Sequence, residues 1–203
     1  MHTDRDRVPR LTCLVSESDD LTLLPRLAAA GIGGFQVRAT WYDARRMIAL
    51  TRTVVDAVRP SGALVTVNDR VDVAVAAGAD GVHLGAGDLP VEVARQLAPT
   101  LVVGATCRSR AAVQAAAAAG ADYAGVGPVF ATSSKDGLPE PLGVAGLSAA
   151  TGVLPVVAIG GITVAEAPAV VAAGAAGLAM IGGLWRHPDP VQAAEELVAV
   201  LGA

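Results

Sequence analysis

Two aspartates and four basic residues are the groups in this chain best suited to bind a phosphorylated ligand. Asp69 lies in the segment "NDR" and Asp88 in the segment "GAGD", and each segment follows an apolar, β-rich run. Two carboxylates, with water and phosphate oxygens, suit Mg²⁺. The basic residues that follow similar runs are Arg38, Arg70, Arg108 and Lys135. Because cations and Mg²⁺ together can hold a polyphosphate, this set predicts diphosphate chemistry if the fold brings its members together.

Two pairs of glycines predict a second anion site. Gly160 and Gly161 follow one apolar run, and Gly182 and Gly183 follow the next. Backbone N–H groups in such turns, beside the N-terminus of a short helix, form the usual phosphate site of barrel enzymes. Two separate anion sites indicate either two phosphorylated substrates or one long one.

Each of these signals also has a structural interpretation. Asp69 and Asp88 could instead cap the helices that follow them, and Arg70 could be a solvated residue or part of a salt bridge. His83 lies within an apolar run, so we expect a packed, hydrogen-bonded histidine rather than a ligand. Cys107 has no histidine near it in sequence and is expected to be a packing residue.

Eight apolar runs alternate with eight helical segments along the chain. Several runs are apolar throughout rather than alternating, as is typical of parallel strands covered on both faces. The predicted strands are Leu11–Val15, Gly34–Arg38, Leu64–Val67, Gly81–Leu84, Leu101–Val103, Tyr123–Val126, Val156–Ile159 and Leu178–Ile181. The predicted helices are Leu21–Ala30, Ala44–Val58, Arg70–Ala77, Pro90–Leu97, Arg110–Ala119, Leu147–Thr151, Val164–Ala173 and Pro190–Leu201.

This alternation predicts an α/β fold, a single (β/α)8 TIM barrel over residues 1–203, with residues 1–10 as a short charged N-terminal extension. A phrase such as "AAGADGVHLG", from Ala76, is a helix-to-strand joint in which glycine ends the helix. The alternative is an open, doubly wound sheet, but "GAGDLP" is not the glycine fingerprint of that fold. In a barrel the carboxyl ends of all the strands meet at one mouth, where the candidate residues would converge.

Composition excludes several classes of function. The chain is 53% hydrophobic, carries a net charge of −4 and contains only 3% aromatic residues. A nucleic-acid surface would need a basic stripe or stacking rings, so we expect no nucleic-acid partner. The sequence lacks an apolar run of membrane-spanning length and the apolar core of a secretory signal, so we expect no membrane partner. Two cysteines give neither a disulfide framework nor a zinc pattern, and a cytoplasmic location is predicted.

Three segments resemble the hallmark motifs of one superfamily: "NDRVDVAVAAGADGVHLGAGDLP", "GADYAGVGPVFATSSK" and "VVAIGGI". That superfamily contains the thiamine phosphate synthases and the TenI-like thiazole tautomerases, and the resemblance extends from about Leu11 to Leu201. It implies a (β/α)8 barrel that often self-associates, so a homo-oligomer is expected. The synthase branch joins a hydroxymethylpyrimidine diphosphate to a thiazole phosphate and releases diphosphate.

The resemblance also implies roles for individual residues. Asp69 and Asp88 would hold Mg²⁺. Arg38 and Lys135 would neutralise the charge of the leaving diphosphate. Arg108 is a separate hypothesis for the same role, because it follows a predicted strand at the same rim. The residues implied to contact the two substrates are Gln36, Arg38, Asn68, Thr106, Thr132, Ser134, Lys135, Gly161, Ile181 and Gly182.

The chain departs from the synthase motifs at several positions. In "QVRAT" the usual acidic residue and lysine are replaced by Ala39 and Thr40, and Ala86 replaces a usual glutamine. Arg108 stands where a histidine is usual, which in the tautomerase branch is the proposed proton shuttle. Three functions therefore stay open: a synthase, a metal-independent isomerase acting on a thiazole carboxylate phosphate, and a non-catalytic binder of thiazole phosphate.

Overall fold

The computed structural model describes residues 8–39, 41–133 and 137–202 and forms a closed barrel of eight parallel strands. Each strand pairs with the next in sequence, and β8 closes the barrel by pairing with β1. The predicted (β/α)8 barrel is confirmed and the open sheet is wrong. The strands are β1 Leu11–Val15, β2 Gly34–Val37, β3 Leu64–Asn68, β4 Gly81–Leu84, β5 Val102–Cys107, β6 Tyr123–Val126, β7 Val156–Ile159 and β8 Gly177–Met180.

Helices cover the outside of the barrel. The described residues contain α1 Leu24–Ala29, α2 Ala44–Val58, α3 Val71–Ala77, α4 Val91–Leu97, α5 Arg110–Ala119, α6 Gly143–Ala150, α7 Ala167–Ala172, α8 Gly182–Trp185 and α9 Pro190–Leu201. Single 3₁₀ turns lie at Leu21–Leu23 and Arg59–Ser61. None of the described helices combines the length and apolar character needed to cross a bilayer.

The largest departures from the predicted boundaries lie near the carboxyl ends of the strands. Helix α6 begins at Gly143 rather than Leu147. β5 continues to Cys107 rather than ending at Val103, because its last residues pair in register with β6. Helix α7 begins at Ala167 rather than Val164, since the Glu166 carboxylate accepts the Thr163 N–H in the preceding turn. The four-residue helix α8 lies outside the predicted helices and changes the lining of the mouth.

The repeated helix-to-strand phrase has a physical reason in the structure. Gly78 and Gly120 end α3 and α5 with φ of +71° and +97°, a left-handed conformation that glycine adopts without strain. Two residues later, Asp80 accepts the N–H of Val65, and Asp122 accepts the N–H of Val103. Each aspartate thereby ties the start of its own strand to the start of the strand before it.

Apolar side chains form two separate groups. The larger lies between strands and helices, where outward-facing residues such as Val65 and Val67 are buried. A smaller group fills part of the barrel interior and includes Leu14, Val102 and Tyr123. Val8, from the predicted N-terminal extension, also packs in this interior group. Together with small and polar residues such as Thr12, Gly34 and Gly125, this group lines a cavity that extends inward from the mouth.

Candidate active site

A cavity of about 470 Å³ occupies the barrel interior and its carboxyl-terminal mouth. It is lined by eight of the ten residues implied to contact substrate: Gln36, Arg38, Asn68, Thr106, Thr132, Gly161, Ile181 and Gly182. The other two, Ser134 and Lys135, lie outside the described residues, as does Thr40. Their roles stay predictions.

Asp69 and Asp88 approach one point at the ends of β3 and β4. The Asp88 carboxylate accepts the Gly85 N–H at 2.6 Å, and the Asp69 N–H donates to the His83 carbonyl at 2.8 Å. A Cβ atom on Gly85 would lie 2.7 Å from Asp88 Oδ2 and 3.9 Å from Asp69 Oδ1. The two carboxylate oxygens therefore flank the same small space.

Neither aspartate occupies a helix N-cap position, since Arg70 flanks α3 and Pro90 flanks α4. Among the residues that the structure describes, no group of three or more His, Cys, Asp or Glu side chains could hold a metal ion. A cation between Asp69 and Asp88 would therefore take its remaining oxygen ligands from water or from a bound phosphate.

The basic residues of the predicted rim have different surroundings. Arg38 follows β2, is half-buried and lines the cavity. Arg70 does not line the cavity and pairs with Asp72 at the surface, where its Nε donates to the carboxylate at 2.8 Å. The salt-bridge interpretation of Arg70 is therefore confirmed, and its contact with a polyphosphate stays a prediction.

Arg108 also lies outside the cavity lining, and its side chain bonds to both ends of the loop between β6 and α6. Its Nη1 donates to the Gly127 carbonyl at 2.9 Å, and its Nη2 donates to the Glu140 carbonyl at 2.7 Å. These carbonyls belong to the two ends of the loop that carries Thr132. The observed contacts give Arg108 a loop-anchoring role, and its action on a diphosphate stays a prediction.

Glycines after β7 and β8 allow three loops to meet at the mouth. Gly161 has φ of +66°, and a side chain there would overlap the Ala131 carbonyl oxygen. A side chain on Gly183 would overlap the Ile162 carbonyl oxygen. Helix α8 begins beside this contact, and the first N–H groups of a helix have no intrahelical acceptor. These features fit the predicted anion site.

Arg186 is a cavity residue that the sequence analysis missed. It follows α8, lines the cavity, and its Nη1 lies 3.4 Å from Ser133 Oγ. Its guanidinium lies over Gly182, because a Cβ there would be 3.4 Å from Nε. Its spacing from Gly182 could have indicated this position, because residues four apart lie on the same face of a helix. That inference requires recognising α8 as a helix.

His83 connects the barrel interior to the mouth through two hydrogen bonds. Its Nδ1 lies 3.0 Å from the Tyr123 hydroxyl, and its Nε2 lies 3.0 Å from Thr106 Oγ1. Burial lowers the pKa of the His83 imidazole to about 4 and raises the pKa of the Tyr123 phenol, so both groups are neutral at neutral pH. The expectation of a hydrogen-bonded histidine is confirmed.

Cys107 is buried at the end of β5. Burial raises the pKa of its thiol, which leaves little thiolate at neutral pH. This agrees with the expected packing role.

Comparison with known proteins assigns the family. The profile of a family described as thiamine monophosphate synthase matches residues 11–184, which is most of the barrel. The chain belongs to this family. The family resemblance inferred from the three motifs is therefore confirmed.

Relatives of the thiamine monophosphate synthase family align along most of the chain. The chain is 47% identical over 180 residues to the thiamine-phosphate synthase of Methanoculleus marisnigri, covering 87% of this chain and 85% of that protein. It is 45% identical over 192 residues to the thiamine biosynthesis bifunctional protein ThiM/ThiE of Symbiobacterium thermophilum, covering 93% of this chain but only 40% of that longer protein. The solved thiamine phosphate pyrophosphorylase from Pyrococcus furiosus is 33% identical, with a TM-score of 0.88 over 98% of this chain and 97% of that one.

Proposed function

We propose that this protein is a thiamine-phosphate synthase, a transferase of thiamine biosynthesis. It joins a hydroxymethylpyrimidine diphosphate to a thiazole phosphate and releases diphosphate. The observation that carries the proposal is the approach of Asp69 and Asp88 to one point at the ends of β3 and β4, next to the cavity-lining Asn68. The glycines after β7 and β8 line the same cavity. Relatives named thiamine-phosphate synthase at up to 48% identity support the same activity.

The reaction needs alignment and charge neutralisation more than it needs a general base. The amino group of the pyrimidine pushes electron density toward the CH₂–O bond, which breaks as diphosphate leaves with the bonding pair. The thiazole nitrogen then donates its lone pair to the stabilised carbocation, forming the new C–N bond. The enzyme lowers the barrier by holding the partners in line and by stabilising the departing charge.

The donor set of Asp69 and Asp88 fits a magnesium ion. Both supply hard carboxylate oxygens beside Gly85, and both follow neighbouring strands of the barrel. When bound there, Mg²⁺ would neutralise part of the diphosphate charge. Arg38, which follows the adjacent β2, adds a cation to the cavity, and Lys135 is proposed to add another.

The other polar residues of the cavity form two sets, one for each substrate. Gln36 and Asn68 lie on β2 and β3, with the Gln36 amide 3.5 Å from Asn68 Oδ1, and they would meet the pyrimidine and its diphosphate. Thr106 faces the same cavity from β5. The loops at Gly161, Ile181 and Gly182 would bind the thiazole phosphate through backbone N–H groups. The family resemblance assigns Thr132 and Ser134 to the loop that meets this substrate.

The enzyme acts on small molecules in a reducing compartment. Its partners are small phosphorylated pyrimidine and thiazole molecules. Cys13 and Cys107 are both unpaired and buried, which supports a reducing, cytoplasmic location. A homo-oligomer stays a prediction, which light scattering on the purified protein measures.

Calorimetric titration of the two substrates tests the proposal. We expect the pyrimidine diphosphate to bind with Mg²⁺ and to lose most of its affinity when a chelator removes the metal, because the carboxylates then repel it. The thiazole phosphate should bind at the glycine-lined site with little dependence on metal. Binding of the monophosphate alone would contradict the synthase and favour the isomerase or the non-catalytic binder.

Arg108 provides a second test, because its two possible roles predict different results. If it anchors the loop, Arg108→Ala and Arg108→Lys should both lower turnover, by roughly 10-fold, since lysine keeps the charge but cannot bridge two carbonyls. If it supplies charge to the diphosphate, Arg108→Lys should keep most of the activity. We expect the first pattern in steady-state kinetics with both substrates.

Arg110→Ala is the matched control for this comparison. Its Nη1 donates to the Thr151 carbonyl at 2.7 Å, at an exposed position away from the cavity. Turnover should be close to wild type in this variant. Unchanged turnover in Arg108→Ala would refute both roles.

A further inference from the structure

A line of three hydrogen-bonding side chains runs from the barrel interior to the mouth. Tyr123 on β6 lies at the inner end and is 8% exposed, His83 on β4 lies in the middle, and Thr106 on β5 lies at the exposed end. All three line the cavity. The proposed reaction assigns no role to Tyr123 or His83.

Two glycines make room for this line. Gly104 on β5 lies in register between His83 and Tyr123, and a side chain on it would overlap the Tyr123 ring. A Cβ atom on Gly125 would lie 2.6 Å from His83 Cε1. The two rings therefore cross the strands only because glycine occupies both positions, and their centroids lie 5.6 Å apart.

The hydrogen-bond direction along the line can be worked out from burial. A neutral imidazole has one N–H donor and one acceptor nitrogen, so the two bonds run in the same direction. If Thr106 donated to His83 and His83 donated to Tyr123, the phenolic O–H of Tyr123 would have no acceptor within the line, at its buried end. If Tyr123 donates, the leftover hydrogen is on Thr106, where ligand or water can accept it. An unsatisfied donor costs more when it is buried, so the second direction is favoured.

We propose that Tyr123 and His83 are positioning residues that make the Thr106 hydroxyl an obligate donor toward the pyrimidine ring. Tyr123 donates to Nδ1, and the Nε2 hydrogen is donated to Thr106 Oγ1, so the Thr106 hydrogen points to the ligand. The site then favours a ring that presents an unprotonated nitrogen and disfavours one that presents an N–H. This inference rests on the proposed function for the identity of the ligand.

The tautomer of His83 tests the inference without any substrate. Nitrogen NMR of the full ¹⁵N-labelled protein distinguishes protonated from unprotonated ring nitrogens, and the spectrum of His83→Gln assigns the signals. We expect Nε2 to carry the proton and Nδ1 to be bare. A proton on Nδ1 of the wild-type protein would overturn the inference.

A double-mutant cycle tests the link to the ligand. Tyr123→Phe frees His83 to accept from Thr106, and Thr106→Val removes the hydroxyl at nearly constant shape. Each variant should weaken binding of the pyrimidine diphosphate roughly 3- to 10-fold in calorimetry, the worth of one hydrogen bond. The double variant should bind no more weakly than Thr106→Val alone, because Tyr123 acts only through Thr106.

Independent, multiplying losses in the double variant would indicate a structural role for Tyr123 and overturn the inference. Affinity for the thiazole phosphate is the internal control and should stay within about twofold of wild type in all three variants, because a hydrogen bond lost elsewhere in the cavity adds nothing to that site. A wild-type protein that does not bind the pyrimidine diphosphate would overturn the proposed function and the ligand assignment, while the His83 tautomer stays measurable.

Discussion

Asp69→Asn and Asp88→Asn should each lower synthase turnover by roughly 10²- to 10³-fold, the usual cost of removing one group that stabilises transition-state charge. Asparagine keeps the size of each side chain but removes the negative charge that would hold Mg²⁺ beside Gly85. The Michaelis constant for Mg²⁺ should rise in both variants, and high metal concentration should restore part of the activity. Steady-state kinetics over a magnesium series measures both effects.

Asp72→Asn is the matched control for the carboxylates. Asp72 lies three residues from Asp69, but its carboxylate pairs with Arg70 on the surface, where such pairs contribute only about 0–1 kcal/mol. Turnover and magnesium dependence should match those of the wild-type protein. Equal losses in all three variants would show that general charge, rather than a metal site, explains the effect.

Gly161→Ala should lower turnover with the thiazole phosphate by roughly 10²-fold, the cost of a misplacement of about 1 Å at a reacting group. The added methyl group would overlap the Ala131 carbonyl oxygen, so the loops after β6 and β7 must move apart. The backbone at Gly161 also has φ of +66°, which strains any residue other than glycine. Binding of the thiazole phosphate should weaken in calorimetry, while binding of the pyrimidine diphosphate should change less.

Gly78→Ala separates backbone strain from the loop contact. Gly78 has φ of +71°, close to that of Gly161, but nothing lies within 4 Å of a Cβ atom there. Both variants should lose comparable stability from the left-handed conformation, about 1–2 kcal/mol. Only Gly161→Ala should lose thiazole phosphate affinity, and an equal loss in Gly78→Ala would contradict the proposed anion site.

Much of the barrel follows from local sequence patterns. The apolar runs of β1, β4, β6 and β7 have the predicted bounds because both of their faces are covered. Helices such as Ala44–Val58 also have the predicted bounds, since Asp43 caps the first turn. β5 is longer than its most apolar part because pairing with β6 stabilises its polar end.

The candidate site was predictable where its residues occupy strand ends. Gln36, Arg38 and Asn68 line the cavity. Asp69 and Asp88 do not line it but come together at the ends of β3 and β4, because consecutive parallel strands end at the same mouth. The proximity of the two carboxylates therefore depends on the closed barrel rather than on any one motif.

Contacts between segments that are distant in sequence could not be predicted. Arg108 bonds to Glu140, Arg186 approaches Ser133, and Tyr123 reaches His83, at separations of 32 to 53 residues. The length and direction of these side chains decide which partner they meet, and neither follows from residue type. The rim position of Arg108 suggested a cation for diphosphate, whereas its guanidinium holds the two ends of a loop.

The formation of thiamine phosphate by the purified protein tests the central claim most directly. Chromatography of a reaction with both substrates and Mg²⁺ should show one diphosphate released for each thiamine phosphate formed. A chelator should stop the reaction, and added Mg²⁺ should restart it. A folded protein that binds both substrates with Mg²⁺ present and yet forms no joined product would contradict the claim.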